Sequence, residues 1–93
     1  MNQTIISAIQ NREILEFHYK GRMRRVEPHM YGIDTKGHPS LNAWQLSGGS
    51  GQDFRNFHLD ILSMLCKSGQ TFSGPRPGYN PNDPAVPQVF ARL

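Results

Sequence analysis

The stretch that most constrains the fold of this chain runs from Leu41 to Leu59, with the sequence LNAWQLSGGSGQDFRNFHL. Two segments of β-like composition flank residues 47–51, a glycine- and serine-rich loop typical of a flexible hairpin tip. No Lys-Ser or Lys-Thr pair follows the glycines, so the loop is not a P-loop. The first segment carries Trp44, the only tryptophan, and the second carries Arg55. We expect two strands here, whose faces form a pocket, a nucleic-acid surface or part of the core.

The remaining segments predict a small, mostly β (α+β) domain. Ninety-three residues are enough for one domain, and nine glycines and seven prolines indicate many turns between short strands. The apolar spacing of residues 3–12 predicts a short helix that covers one end or edge of a sheet. Alternating and apolar runs predict five strands, over residues 14–20, 22–28, 40–47, 53–59 and 61–66. Turns are expected at residues 20–21, 34–37 and 67–70, each of which contains a glycine.

The last part of the chain, residues 73–93, differs in composition from residues 1–72. Five of the seven prolines lie within residues 73–87, which we expect to run extended as an arm. Asp83-Pro84 is typical of a helix start, and the spacing of the apolar residues after it predicts a short amphipathic helix. These apolar residues are Val86, Val89, Phe90 and Leu93. We expect this helix to dock on residues 1–72 within the same domain, because an exposed apolar stripe is costly in a monomer.

The cysteine count and the length of the apolar runs exclude several classes of protein. Cys66 is the only cysteine, so no intrachain disulfide can form, and its apolar neighbours predict a buried side chain. The N-terminus lacks the basic start and the long apolar core of a signal peptide. No apolar run approaches the ~20 residues that a membrane helix needs. We therefore expect a soluble, cytoplasmic protein that does not contact a membrane.

The charge distribution and the spacing of the histidines indicate which kinds of ligand or reaction the sequence favours. The formal charge is only +3, but four of the ten basic residues fall within residues 20–25. Such a cluster attracts anions, and it is equally typical of a solvated hairpin edge. The four histidines lack the spacing of a metal site, and no Ser-His-Asp or Cys-His set stands in a recognisable context. We therefore predict no metal, no cofactor and no enzymatic activity.

Five short motifs follow one another in an order that resembles the WYL domain family. They are Ala8-Ile9, Phe17-x-Tyr19, Arg24-x-Val26-x-Pro28, Trp44-Gln45-Leu46 and Arg55-x-Phe57-x-Leu59. The resemblance covers residues 5–72. Gln45 stands where the family has its signature tyrosine, Ile61 stands where it has an arginine, and His58 replaces a basic residue that often precedes the leucine.

The resemblance implies a small Sm-like (SH3-like) five-stranded β-barrel with an N-terminal helix. WYL domains usually follow a helix-turn-helix in bacterial transcription regulators, where they are thought to sense ligands such as nucleotides or single-stranded nucleic acid. No helix-turn-helix pattern is present in this sequence. The chain is therefore expected to act as a stand-alone module that binds a ligand without reading an operator.

The predicted ligand-binding residues combine basic, aromatic and polar side chains. A guanidinium fork binds phosphate or carboxylate, and an aromatic face stacks a base. Core packing is the alternative for the two aromatic residues, and a salt bridge to Asp53 or Glu27 is the alternative for the arginine of the fourth strand. The full set is Tyr19, Arg24, Arg25, Trp44, Gln45, Arg55 and His58.

Two classes of function remain open from the sequence. The first is a ligand-sensing regulatory module that binds a nucleotide, single-stranded nucleic acid or another anion through the arginine and aromatic residues. The second is an assembly module, in which barrel edges and the C-terminal helix form a homo-oligomer or dock on a partner protein. Salt-dependent affinity for an oligonucleotide would favour the first class.

Overall fold

The computed structural model describes residues 1–93, and it contains one α-helix, six strands and one 3-10 turn. All strand pairs are antiparallel, and the sheet has the order β4-β3-β2-β1-β5, with β6 paired to the far end of β2. The mostly β class with an N-terminal helix is therefore confirmed. The elements are α1 (Gln3–Asn11), β1 (Glu13–Tyr19), β2 (Arg22–Ile33), β3 (Pro39–Ser47), β4 (Asp53–His58), the 3-10 turn (Leu59–Ile61), β5 (Leu62–Thr71) and β6 (Gln88–Arg92).

Helix α1 lies where the sequence predicts it. The side chain of Asn2 accepts a hydrogen bond from the backbone N–H of Ile5 at 3.1 Å and so caps the first turn. The apolar stripe of the helix is buried against the sheet, in one cluster with core residues of β1 to β4. We call the sheet face that carries this core the inner face, and the opposite face the outer face.

Strand alternation decides which side chains reach the inner face. Successive residues of a strand point to opposite faces, so every second residue joins the core. The strand residues of the core cluster are Leu15, Phe17, Tyr19, Val26, Tyr31, Leu41, Ala43 and Phe57. Residues next to these in sequence, such as Trp44 after Ala43, therefore belong to the outer face.

The first hairpin has the turn that its sequence predicts. Lys20 and Gly21 both have positive φ, of 50° and 78°, and Tyr19 pairs directly with Arg22 across the turn. Two consecutive left-handed residues match the right-handed twist of a hairpin. Strand β2 continues past Pro28 to Ile33, and its register against β3 shifts between Pro28 and Met30. The predicted strand over residues 22–28 is therefore part of one longer strand, with a bulge at the proline.

The predicted closed five-stranded barrel is wrong in two respects. The sheet has six strands, and β4 and β5 stand at its two ends without pairing to each other. The 3-10 turn at Leu59–Ile61 carries the chain from β4 to the free edge of β1, where β5 pairs instead. Because β5 does not fold back on β4, the sheet stays open between them.

Strand β5 is also longer than predicted. The expected turn at residues 67–70 is absent, and β5 runs on to Thr71 because β1 offers pairing as far as Glu13. The turn-forming residues appear instead as an irregularity, since the three residues from Glu13 to Leu15 of β1 oppose the five residues from Lys67 to Thr71 of β5. Cys66, predicted to be buried, is exposed on this strand.

The predicted C-terminal helix is wrong, because residues 88–92 form strand β6. Strand β1 stops pairing with β2 at Val26, so the edge of β2 from Met30 to Ile33 is free, and β6 fills it. The prolines at 84 and 87 push the residues before them towards extended backbone, which limits the helical start at Asp83 to one turn. The last apolar residues still dock within the chain, since the Phe90 ring contacts the Tyr31 ring at 5.1 Å.

The proline-rich segment, residues 72–87, contains no helix or strand and covers part of the outer face. Arg76 carries the main contacts, with two hydrogen bonds to the Glu27 carboxylate at 2.8 and 3.0 Å and its guanidinium 5.2 Å from the Trp44 ring. The ring of Phe72 stacks on His29, and the Tyr79 hydroxyl donates to the His29 carbonyl. The segment therefore buries the aromatic side chains of the outer face.

Candidate functional site

Four of the seven predicted site residues lie at one end of the inner face. Strand register places Arg24 opposite Phe17, Gln45 opposite Val26 and Arg55 opposite Ala43, and Tyr19 lies in the core next to them. They come from four different strands, so only the folded sheet assembles them. We call Tyr19, Arg24, Gln45 and Arg55 the arginine cluster.

Arg24 is held in place entirely by neutral groups. Its Nε and Nη2 donate to the backbone carbonyl of Tyr19 at 3.3 and 3.1 Å, and its Nη1 donates to the Gln45 Oε1 at 2.9 Å. Its guanidinium carbon lies 5.6 Å from the Tyr19 ring and 6.0 Å from the Phe57 ring, within the range of cation–π attraction. No carboxylate pairs with it, so its full positive charge is available to an anion.

Gln45 connects Arg24 to the glycine-rich loop. Its side chain is fully buried, and its Nε2 donates to the Gly51 carbonyl at 3.3 Å. A Cβ atom added at Gly49 would collide with the Gln45 amide and approach the Arg24 Nη1 to 3.1 Å. The loop backbone therefore lies directly against the two side chains, and a larger residue at this point would displace the Gln45 amide.

Arg55 lies on the other side of the same loop. Its Nη2 donates to the Ser50 hydroxyl at 3.1 Å, and its Nη1 lies 3.4 Å from the Asp53 Oδ2. The predicted alternative of a salt bridge to Asp53 is thus present, but the Asp53 side chain is 64% exposed. Water and salt screen such a pair, so Asp53 offers little competition to a bound anion.

The other three predicted site residues lie elsewhere. Arg25 points away from the arginine cluster and pairs with Glu16 at 2.9 Å. Trp44 packs on Phe54 on the outer face, and its buried Nε1 has no hydrogen-bond partner. His58 ends β4 beside Asp34 and His38, at the far end of β3 from Gln45. The predicted single Arg and aromatic face is therefore divided among separate places.

Tyr19 occupies the core, the alternative that the sequence analysis gave beside ligand stacking. Its ring is buried in the core, with edge contacts to the rings of Phe17 and Phe57, and its hydroxyl accepts a hydrogen bond from the His58 backbone N–H at 3.0 Å. Core packing therefore describes the ring, which leaves no open face for stacking a base. Its backbone carbonyl serves the site by holding Arg24.

The sequence analysis missed two groups of polar residues. The first is the buried Glu27 and His29 with Arg76, which only the course of the proline-rich segment brings together. The second is Asp34, His38 and His58, whose ligand atoms all lie within 4.8 Å of one another. The pairing of Ser40 with His58 across β3 and β4 places His58 near the turn at residues 34–38, and no residue spacing in the sequence reports that register.

Comparison with protein-family models, with curated proteins and with solved structures finds no match. The single helix has nine residues, and no helix in the structure has the length and apolar character to cross a membrane.

The arginine cluster has the chemistry of an anion-binding site. Two guanidinium groups flank a loop whose glycines bring backbone close to the side chains. Only three of the five donor hydrogens of Arg24 are used in the contacts described above, so donors remain for an oxyanion.

Proposed function

We propose that this protein is a non-catalytic, ligand-sensing module of WYL type that binds a nucleotide, single-stranded nucleic acid or a related anion. The arginine cluster and the loop at residues 47–51 form the binding site. The observation that carries the proposal is that Arg24 is fixed by three hydrogen bonds to neutral acceptors and has no carboxylate partner.

A guanidinium fixed in this way is prepared for an anion. Ordering a free arginine on binding costs side-chain entropy, and the contacts of Arg24 meet that cost during folding. Half-buried surroundings also strengthen its attraction to a charged ligand compared with bulk water. Arg55 adds a second, more exposed guanidinium, so the site suits a ligand with more than one anionic oxygen.

The departure of Gln45 from the WYL pattern fits this proposal. Its buried amide accepts from Arg24 and donates to Gly51, so the glutamine aligns the arginine with the loop. We infer that the site uses Arg24 in place of the basic residue that the family carries where this chain has Ile61. That isoleucine is 49% exposed, beyond the end of β4 and outside the cluster.

The proposed WYL assignment shares with this structure only the mostly β class with an N-terminal helix. The described chain has one α-helix and therefore no helix-turn-helix. We propose that it regulates transcription or a related bacterial process by sensing rather than by reading an operator. The exposed, unpaired Cys66 suits the reducing cytoplasm, which we propose as its location.

Fluorescence anisotropy tests this proposal with labelled single-stranded DNA, single-stranded RNA and a nucleotide, each at low and moderate salt. We expect affinity that falls with salt, and at least about tenfold weaker binding by Arg24→Gln, because a charge-assisted contact is lost. Arg25→Gln is the matched control, since it removes the same charge from the neighbouring residue on the opposite face. Equal weakening by both variants would refute a site at the arginine cluster.

An assembly role is the second candidate, and the open sheet favours it. Strands β4 and β5 each have one edge without a partner, and β5 carries Met64, which is 72% exposed. Unpaired edges are templates for pairing with another chain. We propose a second copy of this chain as the partner, with β5 of one copy pairing to β4 of the next.

Sedimentation velocity over a range of protein concentrations tests the assembly role. We expect reversible self-association that Met64→Asp weakens, because a charge on the free edge of β5 opposes pairing with another copy. The matched control is Met23→Asp, which places the same charge at an exposed methionine of the interior strand β2. A monomer at every concentration would exclude assembly through these edges.

A further inference from the structure

A pocket of about 260 Å³ lies outside the arginine cluster, between the turn after β2, the end of β4 and the proline-rich segment. Its polar lining includes Asp34, His38 and His58. Their ligand atoms, one carboxylate oxygen and two imidazole nitrogens, all lie within 4.8 Å of one another. In a scattered cluster of surface charges the side chains do not face one another. Here three side chains from two parts of the chain face the same pocket.

The backbone fixes Asp34 in one orientation. Its Oδ1 accepts hydrogen bonds from the backbone N–H groups of Lys36 and His38 at 2.9 and 2.8 Å, which closes the turn. Its Oδ2 accepts from the Ser40 hydroxyl at 3.3 Å and has a further lone pair free. Oδ2 is therefore directed at the two histidines, while Oδ1 is fully occupied.

The sheet brings the histidines to the same oxygen. His38 enters β3 at the end of the turn, and Ser40, two residues later, pairs with His58 of β4. The His38 Nδ1 lies 3.6 Å and the His58 Nε2 lies 3.7 Å from the Asp34 Oδ2. The two imidazole rings have centroids 4.9 Å apart.

These distances match metal coordination better than hydrogen bonding. A charge-assisted N–H to carboxylate hydrogen bond would close to about 2.8 Å. Two ligand atoms bound at about 2.1 Å to a tetrahedral zinc ion lie about 3.4 Å apart. Both nitrogens stand within a few tenths of an ångström of that spacing from Oδ2, and all three ligand atoms lie within 4.8 Å of one another, so binding would draw them together around the ion.

We propose that Asp34, His38 and His58 bind a divalent transition-metal ion, with zinc as the best match and water in the remaining coordination positions. Two imidazoles and one carboxylate are a ligand set typical of zinc, and the open pocket leaves room for water or a small ligand. The Ser40 hydroxyl orients the carboxylate from behind, as the outer partners of metal ligands do.

The electrostatics of the pocket suit a cation. The backbone N–H groups of Lys36 and His38 hold the Asp34 carboxylate in place, and its negative charge attracts a cation. Lys36 also lines the pocket, and its positive charge opposes a cation. The residue is exposed, so water and salt screen much of that repulsion.

Calorimetric titration with zinc sulfate tests the proposal on the untagged, full-length chain in a Cys66→Ser background. The serine removes an exposed thiol that would itself bind zinc. We expect one ion per chain, and at least about tenfold weaker binding by His58→Gln and by Asp34→Asn, since each removes a ligand. Asp34→Asn retains an oxygen for the turn, and thermal unfolding without zinc verifies that both variants are folded.

His18→Gln is the matched control, because His18 lies on β1 opposite Met23 and away from the pocket. We expect it to bind zinc as the parent does. Imidazole signals in nuclear magnetic resonance spectra give a second readout, in which zinc shifts His38 and His58 but not His18. Absence of saturable binding, or binding that the pocket variants leave unchanged, would overturn the proposal.

Discussion

The Nη1 of Arg24 donates a hydrogen bond to the Oε1 of Gln45 at 2.9 Å, across strands β2 and β3. The same glutamine is fully buried and donates to the Gly51 carbonyl. A single amide thus couples the position of a charged side chain to the position of a loop. Under the proposed function, an anion bound at Arg24 would therefore act on the loop through Gln45.

Replacing Gln45 with Leu should lower both stability and ligand affinity. The change leaves the Gly51 carbonyl and part of Arg24 without their partners, which we expect to reduce the free energy of unfolding by about 1–3 kcal/mol. Urea denaturation measures this loss. Gln52→Leu, an exposed change in the same loop, is the control and should be nearly neutral. Wild-type stability of the Gln45 variant would contradict the role of the amide.

Gly49→Ala should disturb the same junction by a steric route. The added Cβ has no room beside the Gln45 amide, so the loop or the arginine must shift, at a cost of about 1–3 kcal/mol. We expect weaker anion binding together with lower stability. Anisotropy and denaturation measure the two effects, and Gly37→Ala provides a contrast, since its open surroundings leave only backbone strain.

The buried His29 should make stability depend on pH. Burial lowers the pKa of His29, and its Nε2 accepts a hydrogen bond from the Arg76 backbone N–H at 3.0 Å, so the folded state holds the ring neutral. The unfolded chain takes up a proton below a pH of about 6.5, whereas the folded chain does so only at lower pH. Stability should therefore be complete above that pH and fall as the pH decreases through it.

Denaturation at a series of pH values measures how steeply the free energy of unfolding falls with decreasing pH. The substitution His29→Gln should reduce this pH dependence. The groups that face His29 include Glu27, which favours the charged ring, and Arg76, which opposes it. The lowered pKa of Asp34 contributes a separate loss of stability, which begins only near a pH of about 4. A slope between neutral pH and pH of about 5 that His29→Gln leaves unchanged would assign the effect to other groups.

Removing Arg76 should lower the stability of the fold, because the Glu27 carboxylate is buried and loses its partner. The Glu27 side chain is only 7% exposed, and both of its oxygens accept from Arg76. We expect Arg76→Met to reduce the free energy of unfolding by about 1–3 kcal/mol, because an unpaired carboxylate remains buried. Adding Glu27→Gln to that variant removes the charge and should restore part of the loss, which a double-mutant cycle measures. Additive losses would contradict this account.

Local patterns were enough to predict α1, the first hairpin and strands β1, β3 and β4. These elements have clear periodicity or a turn such as Lys20-Gly21, where one or two residues determine the positive φ angles that the turn needs. Strand β6 was mistaken for a helix because Val86, Val89 and Phe90 fit a helical spacing. The free edge of β2 decided the outcome, and no local pattern reports a free edge.

The candidate site was predictable in part for the same reason. Strand parity alone separates Trp44 from Gln45 and Arg24 from Arg25, because neighbours on a strand point to opposite faces. The predicted set contained both residues of each pair, so one residue of each pair lies away from the cluster. The grouping of Asp34 with His58 depends on register between strands, which residue spacing does not contain.

The most direct test of the central claim is to observe the arginine side chains during ligand titration. The Nε–H signals of a uniformly ¹⁵N-labelled sample report each guanidinium separately, and Arg24→Gln and Arg55→Gln assign the two signals of interest. The account predicts that a nucleotide or short single-stranded oligonucleotide shifts the Arg24 and Arg55 signals while those of Arg25 and Arg76 stay in place. Shifts confined to Arg25, Arg76 or other arginines would contradict it, as would the absence of any shift at saturating ligand.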